Sequence, residues 1–176
     1  MTNRRTFIKT SSLAVAGVAL ASTMPMAACK GANEKLMCGA IGVNGMGWAD
    51  LAAFLKLPNT ECAAICDVDE SVLNKRIADT EKIQGKKPVG FKDYRKLLEM
   101  PGIDVVIIGT PDHWHTIINV AACRAGKDLY AEKPLTLTID EGKILCRVVE
   151  ETGRVVQVGT QQRSERCFQT AVELVR

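Results

Sequence analysis

Histidine and aromatic residues are scarce in this 176-residue sequence, and closely paired cysteines are missing from it. Two histidines, together with seven cysteines that form no Cys-x-x-Cys pair, cannot complete the usual ligand sets of a zinc site. No low-complexity tract or internal period is present, which excludes repeat architectures. The composition, 47% hydrophobic and 24% charged, is typical of a globular protein of one domain. Cys38, Cys62 and Cys66 lie in apolar runs, so we expect them to be buried as small hydrophobes.

An excess of either charge is also missing once the first 28 residues are set aside. Those residues contain Arg4, Arg5 and Lys9 and no acid. The 20 basic residues that follow are balanced by 20 acidic residues. This balance gives no electrostatic argument for a nucleic-acid partner, and none is predicted.

Residues 1–28 have the pattern of an export signal. Arg4 and Arg5 precede Phe-Ile-Lys, a short apolar segment follows from Leu13 to about Ala21, and small residues come before Cys29. This order is typical of a signal peptide of the twin-arginine type, with an ordinary secretory signal as the alternative. It predicts the twin-arginine export machinery as a partner and a periplasmic location. Cys29 is a candidate lipid anchor, and residues 29–35 are interpreted as a linker.

The next stretch of the chain is an apolar run, residues 36–43, that stops in a glycine cluster. A helix-like stretch beginning at Trp48 follows. Strand, glycine turn and helix in this order begin a nucleotide-binding βαβ unit, because backbone N–H groups in such a turn approach a pyrophosphate. Taken alone, the pattern also fits a simple tight turn.

Asp67 stands at the end of a second predicted strand, residues 61–67. A carboxylate at that point accepts hydrogen bonds from the adenosine ribose and repels a 2′-phosphate, which favours NAD over NADP. The alternative is that Asp67 or Asp69 caps the helix predicted over residues 70–79.

Strands and helices alternate through the rest of the chain. Strands are predicted over residues 88–91, 104–110, 129–131 and 155–160, and helices over residues 93–100, 116–125, 139–151 and 165–176. This alternation predicts an α/β fold with a doubly wound parallel sheet, in which ligands bind at the carboxyl ends of the strands. The polar clusters of the sequence fall at those ends.

Two of these clusters, Thr110-Pro111-Asp112-His113-Trp114-His115 and Glu132-Lys133-Pro134, resemble motifs of the Gfo/Idh/MocA oxidoreductase family. The resemblance covers about residues 35–176. It implies a Rossmann NAD(P)-binding domain over residues 36–160, with NAD or NADP as cofactor and a sugar or polyol as substrate. Members carry a second α/β domain, so the resemblance implies that the chain stops before it, with residues 161–176 beginning the connection. It also implies a homo-oligomer for the full-length protein and little activity for this chain alone.

The resemblance assigns residue roles in turn. The glycine turn would hold the pyrophosphate, Asp67 the ribose, and Lys133 would be the catalytic residue where nicotinamide meets substrate. The predicted cofactor-binding residues are Gly42, Asn44, Gly45, Met46, Gly47, Asp67, Thr110, Pro111, His115, Glu132, Lys133 and Gln161. Asn44 replaces the usual second glycine, and asparagine tolerates left-handed backbone geometry.

Other interpretations stay open for single residues. His115 either lines the cofactor or has a packing or capping role at a helix start, and a metal pair with His113 lacks further ligands. Lys133 is otherwise a solvated lysine before a turn, and Gln161 otherwise lies in a loop without a contact.

The function also has alternatives. One is a glycoside hydrolase or lyase that uses bound NAD in a closed redox cycle, although relatives of that kind tend to lack Glu-Lys-Pro. The other is a nucleotide-binding fragment without catalysis.

Overall fold

The computed structural model describes residues 35–176, so the predictions for residues 1–34 lie outside the described part of the chain. The described residues form six strands, six α-helices and one short 3-10 helix. The strands are β1 Leu36–Ile41, β2 Thr60–Cys66, β3 Val89–Phe91, β4 Val105–Ile108, β5 Asp128–Glu132 and β6 Val156–Gly159. The helices are α1 Met46–Phe54, α2 Glu70–Gln84, α3 Tyr94–Leu98, α4 Asp112–Arg124, α5 Ile139–Thr152 and α6 Arg166–Val175.

All six strands are parallel and lie in the order β3-β2-β1-β4-β5-β6. The chain runs outward from β1 to β3, returns to the centre at β4 and then runs outward to the other edge. The predicted doubly wound parallel sheet is thereby confirmed. The direction of winding reverses between β1 and β4, which is where ligands bind in sheets of this kind.

Two hydrophobic layers cover the sheet, one on each face. On one face, residues of α3, α4 and α5 pack against alternate strand positions such as Ile41, Val106 and Ile108. On the other face, residues of α1 and α2 pack against the intervening positions, including Cys38 and Cys62. Cys38, Cys62 and Cys66 are each at most 3% exposed, which confirms that these cysteines are buried.

Helix α4 begins earlier than the sequence pattern indicates. The predicted start is residue 116, whereas the helix starts at Asp112 with Pro111 as its extended N-cap. The fixed φ of proline suits the residue at a helix start, and Asp112 places an acid in the first turn. His113 and His115 therefore lie on the first turns of a helix instead of in a loop.

Helix caps account for most of the other boundaries. The Thr138–Glu141 capping box at the start of α5 is present as predicted, and Gly153 ends that helix at φ 63°. Helix α2 runs to Gln84, five residues past the predicted end, because the left-handed Gly85 closes it.

The last described elements are the 3-10 turn Gln161–Ser164 and helix α6. Helix α6 has no buried residue among those described, and its apolar side chains Phe168 and Val172 remain about half exposed. Within residues 35–176, none of the helices has both the length and the apolar character needed to cross a bilayer.

Candidate functional site

The glycine turn, residues 42–47, connects β1 to α1 at the carboxyl edge of the sheet. Gly42 has φ 75° and Gly45 has φ 59°, conformations that glycine adopts without a steric cost. Gly45 is the N-cap of α1, no side chain caps this helix, and its first turn contains no acid. The N–H groups at the start of α1 are therefore left to a solvent molecule or an anionic ligand.

Close backbone contact explains why three positions near this turn are glycine. A Cβ on Gly47 would overlap the carbonyl oxygen of Gly42 and lie 3.2 Å from Cα of Gly109. A Cβ on Gly109 would in turn overlap Cα of Gly47. The start of α1 can approach the end of β4 at this distance only because neither residue has a side chain.

Asn44 does not supply the left-handed conformation that the sequence suggests for it. Within residues 35–176, Asn59 is the one non-glycine residue with positive φ, so the turn relies on Gly42 and Gly45 instead. The side chain of Asn44 is exposed and lines the adjoining cleft. Met46, the first residue of α1, is 38% exposed.

Asp67 follows β2 and is held against the glycine turn. Its Oδ2 accepts a hydrogen bond from the backbone N–H of Val43 at 2.9 Å, and its Oδ1 accepts one from that of Asp69 at 3.0 Å. The residue that caps α2 is Asp69, whose carboxylate accepts from the N–H groups of Ser71 and Val72. Asp67 therefore does not cap α2, and its carboxylate faces the cleft beside the glycine turn.

A cleft of about 520 Å³ opens at this point, between the ends of β1, β2 and β4 and the starts of α3 and α4. Its lining includes five of the predicted residues, which are Gly42, Asn44, Asp67, Thr110 and Pro111. The sequence prediction missed Val68, Tyr94 and Arg95, which also line it. Their position is the only indication that the sequence gives, since each lies two to four residues after the end of a strand.

The positive charges beside the cleft are paired within the described chain. Lys92 Nζ lies 2.7 Å from Glu70 Oε2, and Arg95 lies 3.1 Å from Asp93 Oδ1. The hydroxyl of Thr110 is different, because it is buried and has no hydrogen-bond partner among the described residues. Buried polar atoms are normally satisfied, so such a hydroxyl at a cleft indicates a group that binds a ligand.

His115 lies behind this cleft and is not part of its lining. The side chain is 1% exposed, and its two ring nitrogens lie 2.7 Å from the Thr110 carbonyl oxygen and 2.5 Å from the Pro134 carbonyl oxygen. This geometry favours the packing role over the cofactor-lining role. Within residues 35–176, no group of three or more potential ligands is assembled around His113 or His115, or elsewhere, that would hold a metal ion.

The Glu-Lys-Pro loop, residues 132–134, follows β5 on the same edge of the sheet, and its Lys133–Pro134 peptide bond is cis. Lys133 is exposed, and no hydrogen bond or ion pair of its ammonium occurs within residues 35–176. Glu132 is 4% exposed, and its Oε2 accepts a hydrogen bond from the N–H of Lys133 at 3.3 Å. Its Oε1 has no hydrogen-bond partner among the described residues. A Cβ on Gly159 would overlap Oε1, so this glycine makes room for the carboxylate.

A family model described as an oxidoreductase family with an NAD-binding Rossmann fold matches residues 36–160. The chain belongs to the Gfo/Idh/MocA oxidoreductase family. The match covers the sheet and all the strand ends described above, which agrees with the resemblance seen in the two sequence motifs.

Curated relatives and solved structures agree with this family. A glycosyl hydrolase family 109 protein from Shewanella pealeana is 32% identical over 171 residues, covering 85% of this chain and 37% of the relative. An alpha-N-acetylgalactosaminidase from Shewanella oneidensis is 31% identical, with coverage of 85% and 37%. A scyllo-inositol dehydrogenase from Lactobacillus casei, solved with NAD(H) and scyllo-inositol, has a TM-score of 0.71 at 22% identity. That alignment covers 81% of this chain and 41% of the dehydrogenase. The chain thus spans less than two-fifths of the length of these curated relatives.

A second acidic side chain, which the sequence analysis missed, lies close enough to Glu132 for the two charges to interact. Asp50 on α1 has a buried Oδ2 without a partner among the described residues. Burial, and then the negative charge of Glu132, raises the pKa of Asp50 to about 6. Burial and both carboxylates also raise the pKa of Tyr130. The sequence could have indicated Asp50, because this residue lies one turn after Gly47 on the face of α1 that packs on the sheet.

Gln161, the remaining predicted residue, begins the 3-10 turn after β6 and is exposed. It is not part of the cleft lining. Its predicted contact with the cofactor stays a prediction.

The arrangement suits the dinucleotide that the family binds. The uncapped start of α1 can donate hydrogen bonds from its N–H groups to a pyrophosphate, and Asp67 can accept hydrogen bonds from a ribose. The Thr110 hydroxyl, which has no partner among the described residues, belongs to a residue that lines the same cleft. The residues present therefore fit a dinucleotide of this kind.

Proposed function

We propose that this chain is the dinucleotide-binding part of an NAD-dependent oxidoreductase that oxidises a sugar or polyol. The observation that carries the proposal is the placement of the glycine turn, Asp67 and Lys133 at the carboxyl ends of β1, β2 and β5 in one parallel sheet. A dinucleotide held by the glycine turn and Asp67 extends along that edge toward Lys133.

In this proposal, Lys133 is the catalytic residue. Bound nicotinamide supplies the acceptor for the hydride that leaves the carbinol carbon. The exposed ammonium of Lys133, which has no partner in residues 35–176, donates a hydrogen bond to the substrate oxygen. In its neutral form the same nitrogen accepts the hydroxyl proton, which is the role of a general base.

Asp67 supports NAD over NADP as the cofactor. Its carboxylate lies at the ribose end of the cleft, where it would repel a 2′-phosphate. Lys92 and Arg95, the nearby cations, are already paired with Glu70 and Asp93 and do not offset that repulsion.

Calorimetric titration of the 176-residue chain with NAD and with NADP tests the cofactor. We expect binding of NAD at least about tenfold tighter than binding of NADP, since repulsion of one phosphate is worth about 1.4 kcal/mol or more. Binding of neither dinucleotide would overturn the proposed function.

Substitution of Lys133 by methionine tests the reaction separately. Lys133→Met keeps most of the side-chain stem and removes the ammonium, so the affinity for NAD should stay within about threefold while oxidation falls about a hundredfold or more. The reaction is followed as reduced nicotinamide, in this chain and in any longer product of its reading frame. Lys143→Met, which removes an exposed lysine paired with Asp140, is the matched control and should change neither value.

A second candidate function is glycoside cleavage with bound NAD in a closed redox cycle. Its support is the similarity of the chain to a glycosyl hydrolase family 109 protein and to an alpha-N-acetylgalactosaminidase. Both candidates begin with oxidation of a sugar carbon, and they differ in whether the hydride returns to the substrate. An aryl N-acetylgalactosaminide distinguishes them: release of the aryl group without net nicotinamide reduction supports cleavage, and stoichiometric reduction supports the dehydrogenase.

We further propose that the protein is exported through the twin-arginine route. The support is the paired arginines and apolar segment in residues 1–28. Mass spectrometry of the mature protein tests this: an N-terminus near Cys29, with or without an added lipid mass, supports export, whereas an intact Met1 terminus contradicts it.

A further inference from the structure

His115 occupies an unusual position for a buried histidine, because both of its ring nitrogens face carbonyl oxygens. Nε2 lies 2.7 Å from the Thr110 oxygen, and Nδ1 lies 2.5 Å from the Pro134 oxygen. The side chain is 1% exposed, so water does not substitute for either partner.

The chemistry of these partners decides the proton count of the ring. A carbonyl oxygen only accepts hydrogen bonds, whereas a neutral imidazole has one N–H and one bare nitrogen. Any neutral tautomer would therefore set a nitrogen lone pair against an oxygen lone pair at one of the two short distances. Only the imidazolium donates to both carbonyls.

The two carbonyls belong to different parts of the candidate site. Thr110 follows β4 and lines the cleft, and Pro134 is the residue after Lys133 in the Glu-Lys-Pro loop. His115 thus bridges the end of one strand to the loop after its neighbour. Within residues 35–176, no other side chain makes hydrogen bonds to both segments.

Two more residues of α4 hold the segment that follows the same loop. Asn119, which is fully buried, donates to the Leu135 carbonyl oxygen at 3.5 Å. Thr116 donates to Glu141 Oε2 at 3.2 Å, and the same oxygen accepts the backbone N–H groups of Leu137 and Thr138. Helix α4 therefore fixes residues 134–141 at three places, and His115 is the place nearest Lys133.

We propose that His115 is a doubly protonated positioning residue that fixes the Glu-Lys-Pro loop to the end of β4 and so sets the place of Lys133. The inference rests on the proposed function, since it concerns the placement of the proposed catalytic lysine. The titratable groups nearest to His115 along these elements include Asp112 and His113 of α4, Glu132 and Lys133 of β5 and its loop, and Glu141 of α5.

Nitrogen NMR of the full 176-residue chain, labelled with ¹⁵N-histidine, measures the proton count directly. The sequence has two histidines, so His113→Gln leaves the signals of His115 alone and assigns them. We expect two protonated ring nitrogens for His115 at pH 7. One protonated and one bare nitrogen would overturn the proposal.

Hydrogen exchange measures the positioning role. His115→Phe keeps a flat ring and removes both N–H donors. We expect the amides of residues 133–138 to exchange about tenfold faster, as loss of hydrogen bonds from a charged donor predicts. His113→Gln, a change at an exposed neighbour, is the control and should leave these amides unchanged.

Unchanged exchange in His115→Phe would overturn the positioning role. If that variant does not fold, the proton count in the wild-type chain still decides the charged state, and His115→Gln, which retains one amide donor group, gives the exchange result. Both measurements are made without dinucleotide, so their outcome is independent of whether NAD binds. A chain that binds no NAD but shows the imidazolium would refute the proposed function and keep the bridge.

Discussion

The two ends of the candidate site lie on one edge of the sheet but are built differently. At the β1–β2 end, backbone groups make the site: the glycine turn holds its shape without side chains, and both oxygens of Asp67 accept backbone N–H groups. At the β5 end, side chains make it. Asp50 and Glu132 each keep a buried oxygen without a partner among the described residues, and Lys133 is exposed. The Asp67 carboxylate is thus satisfied within residues 35–176, whereas the carboxylates of Asp50 and Glu132 are not.

The largest expected effect is at the backbone end. Gly47→Ala should lower the free energy of unfolding by about 3 kcal/mol, because the new Cβ overlaps the Gly42 carbonyl oxygen and backbone atoms cannot move aside easily. Urea denaturation measures it. Gly142→Ala in α5 is the control, since its Cβ meets only Thr136 Oγ1 at 3.5 Å, and it should gain about 0.5 to 1 kcal/mol. Similar losses in the two variants would refute this account of Gly47.

Asp67→Ala should have the second-largest effect. Two backbone N–H groups lose a charged acceptor, so the free energy of unfolding should fall by about 2 kcal/mol and the affinity for NAD about tenfold. Denaturation and calorimetry measure the two values. Asp69→Ala removes the cap of α2 instead and should leave the affinity for NAD unchanged. A loss of affinity in Asp69→Ala would show that the start of α2, and not Asp67, governs binding.

Asp50→Asn probes the side-chain end. The pKa of Asp50 is raised from 3.8 to about 6 in the folded chain, so the unfolded chain loses its proton first as the pH rises. The wild-type free energy of unfolding should therefore fall between about pH 4 and pH 6 and then level off. Asparagine cannot ionise, so the variant should match the wild type near pH 4 and exceed it by about 1 kcal/mol at pH 7.5, after allowance for solvent screening.

Denaturation at a series of pH values measures this difference. Glu81→Gln on the exposed face of α2 is the control and should show a constant offset. A constant offset for Asp50→Asn as well would mean that folding does not raise the pKa of Asp50.

Asn44→Gly is expected to have the smallest effect. The Asn44 side chain lines the cleft at the glycine turn, and we expect it to contact the pyrophosphate, so its removal should speed NAD dissociation about threefold. Stopped-flow displacement measures the rate. Asn59→Gly is the control, because Asn59 has φ 58° and lies at the opposite edge of the sheet, after α1. An unchanged rate for Asn44→Gly would leave Asn44 as a turn residue only.

The backbone end was predictable from the sequence because its signals are local. An apolar run, three glycines and an acid at the next strand end define the glycine turn and Asp67, and the alternation of elements brings them to one edge. Asparagine tolerates the left-handed conformation, but Gly42 and Gly45 adopt it in this turn. The local sequence does not say which residue of a turn has positive φ.

The side-chain end was less predictable because its contacts join distant positions. The electrostatic interaction of Asp50 with Glu132 joins α1 to β5, and nothing in either local sequence indicates it. His115 was expected beside the cofactor, whereas its two carbonyl partners depend on where α4 begins. That start was misplaced by four residues, since Pro111 caps the helix without leaving a strong polar signal.

The meeting of Gly42, Gly47 and Gly109 also has a genetic consequence. A harmful substitution in a core is often relieved when a neighbour loses a methyl group, but none of these three residues has a side chain to shorten. A selection for suppressors of Gly47→Ala should therefore yield true revertants and stabilising changes far from the contact. Second-site changes at Gly42 or Gly109 should be absent among them. The sequences at the start of α1 and at the end of β4 therefore cannot change by single substitutions that compensate for one another.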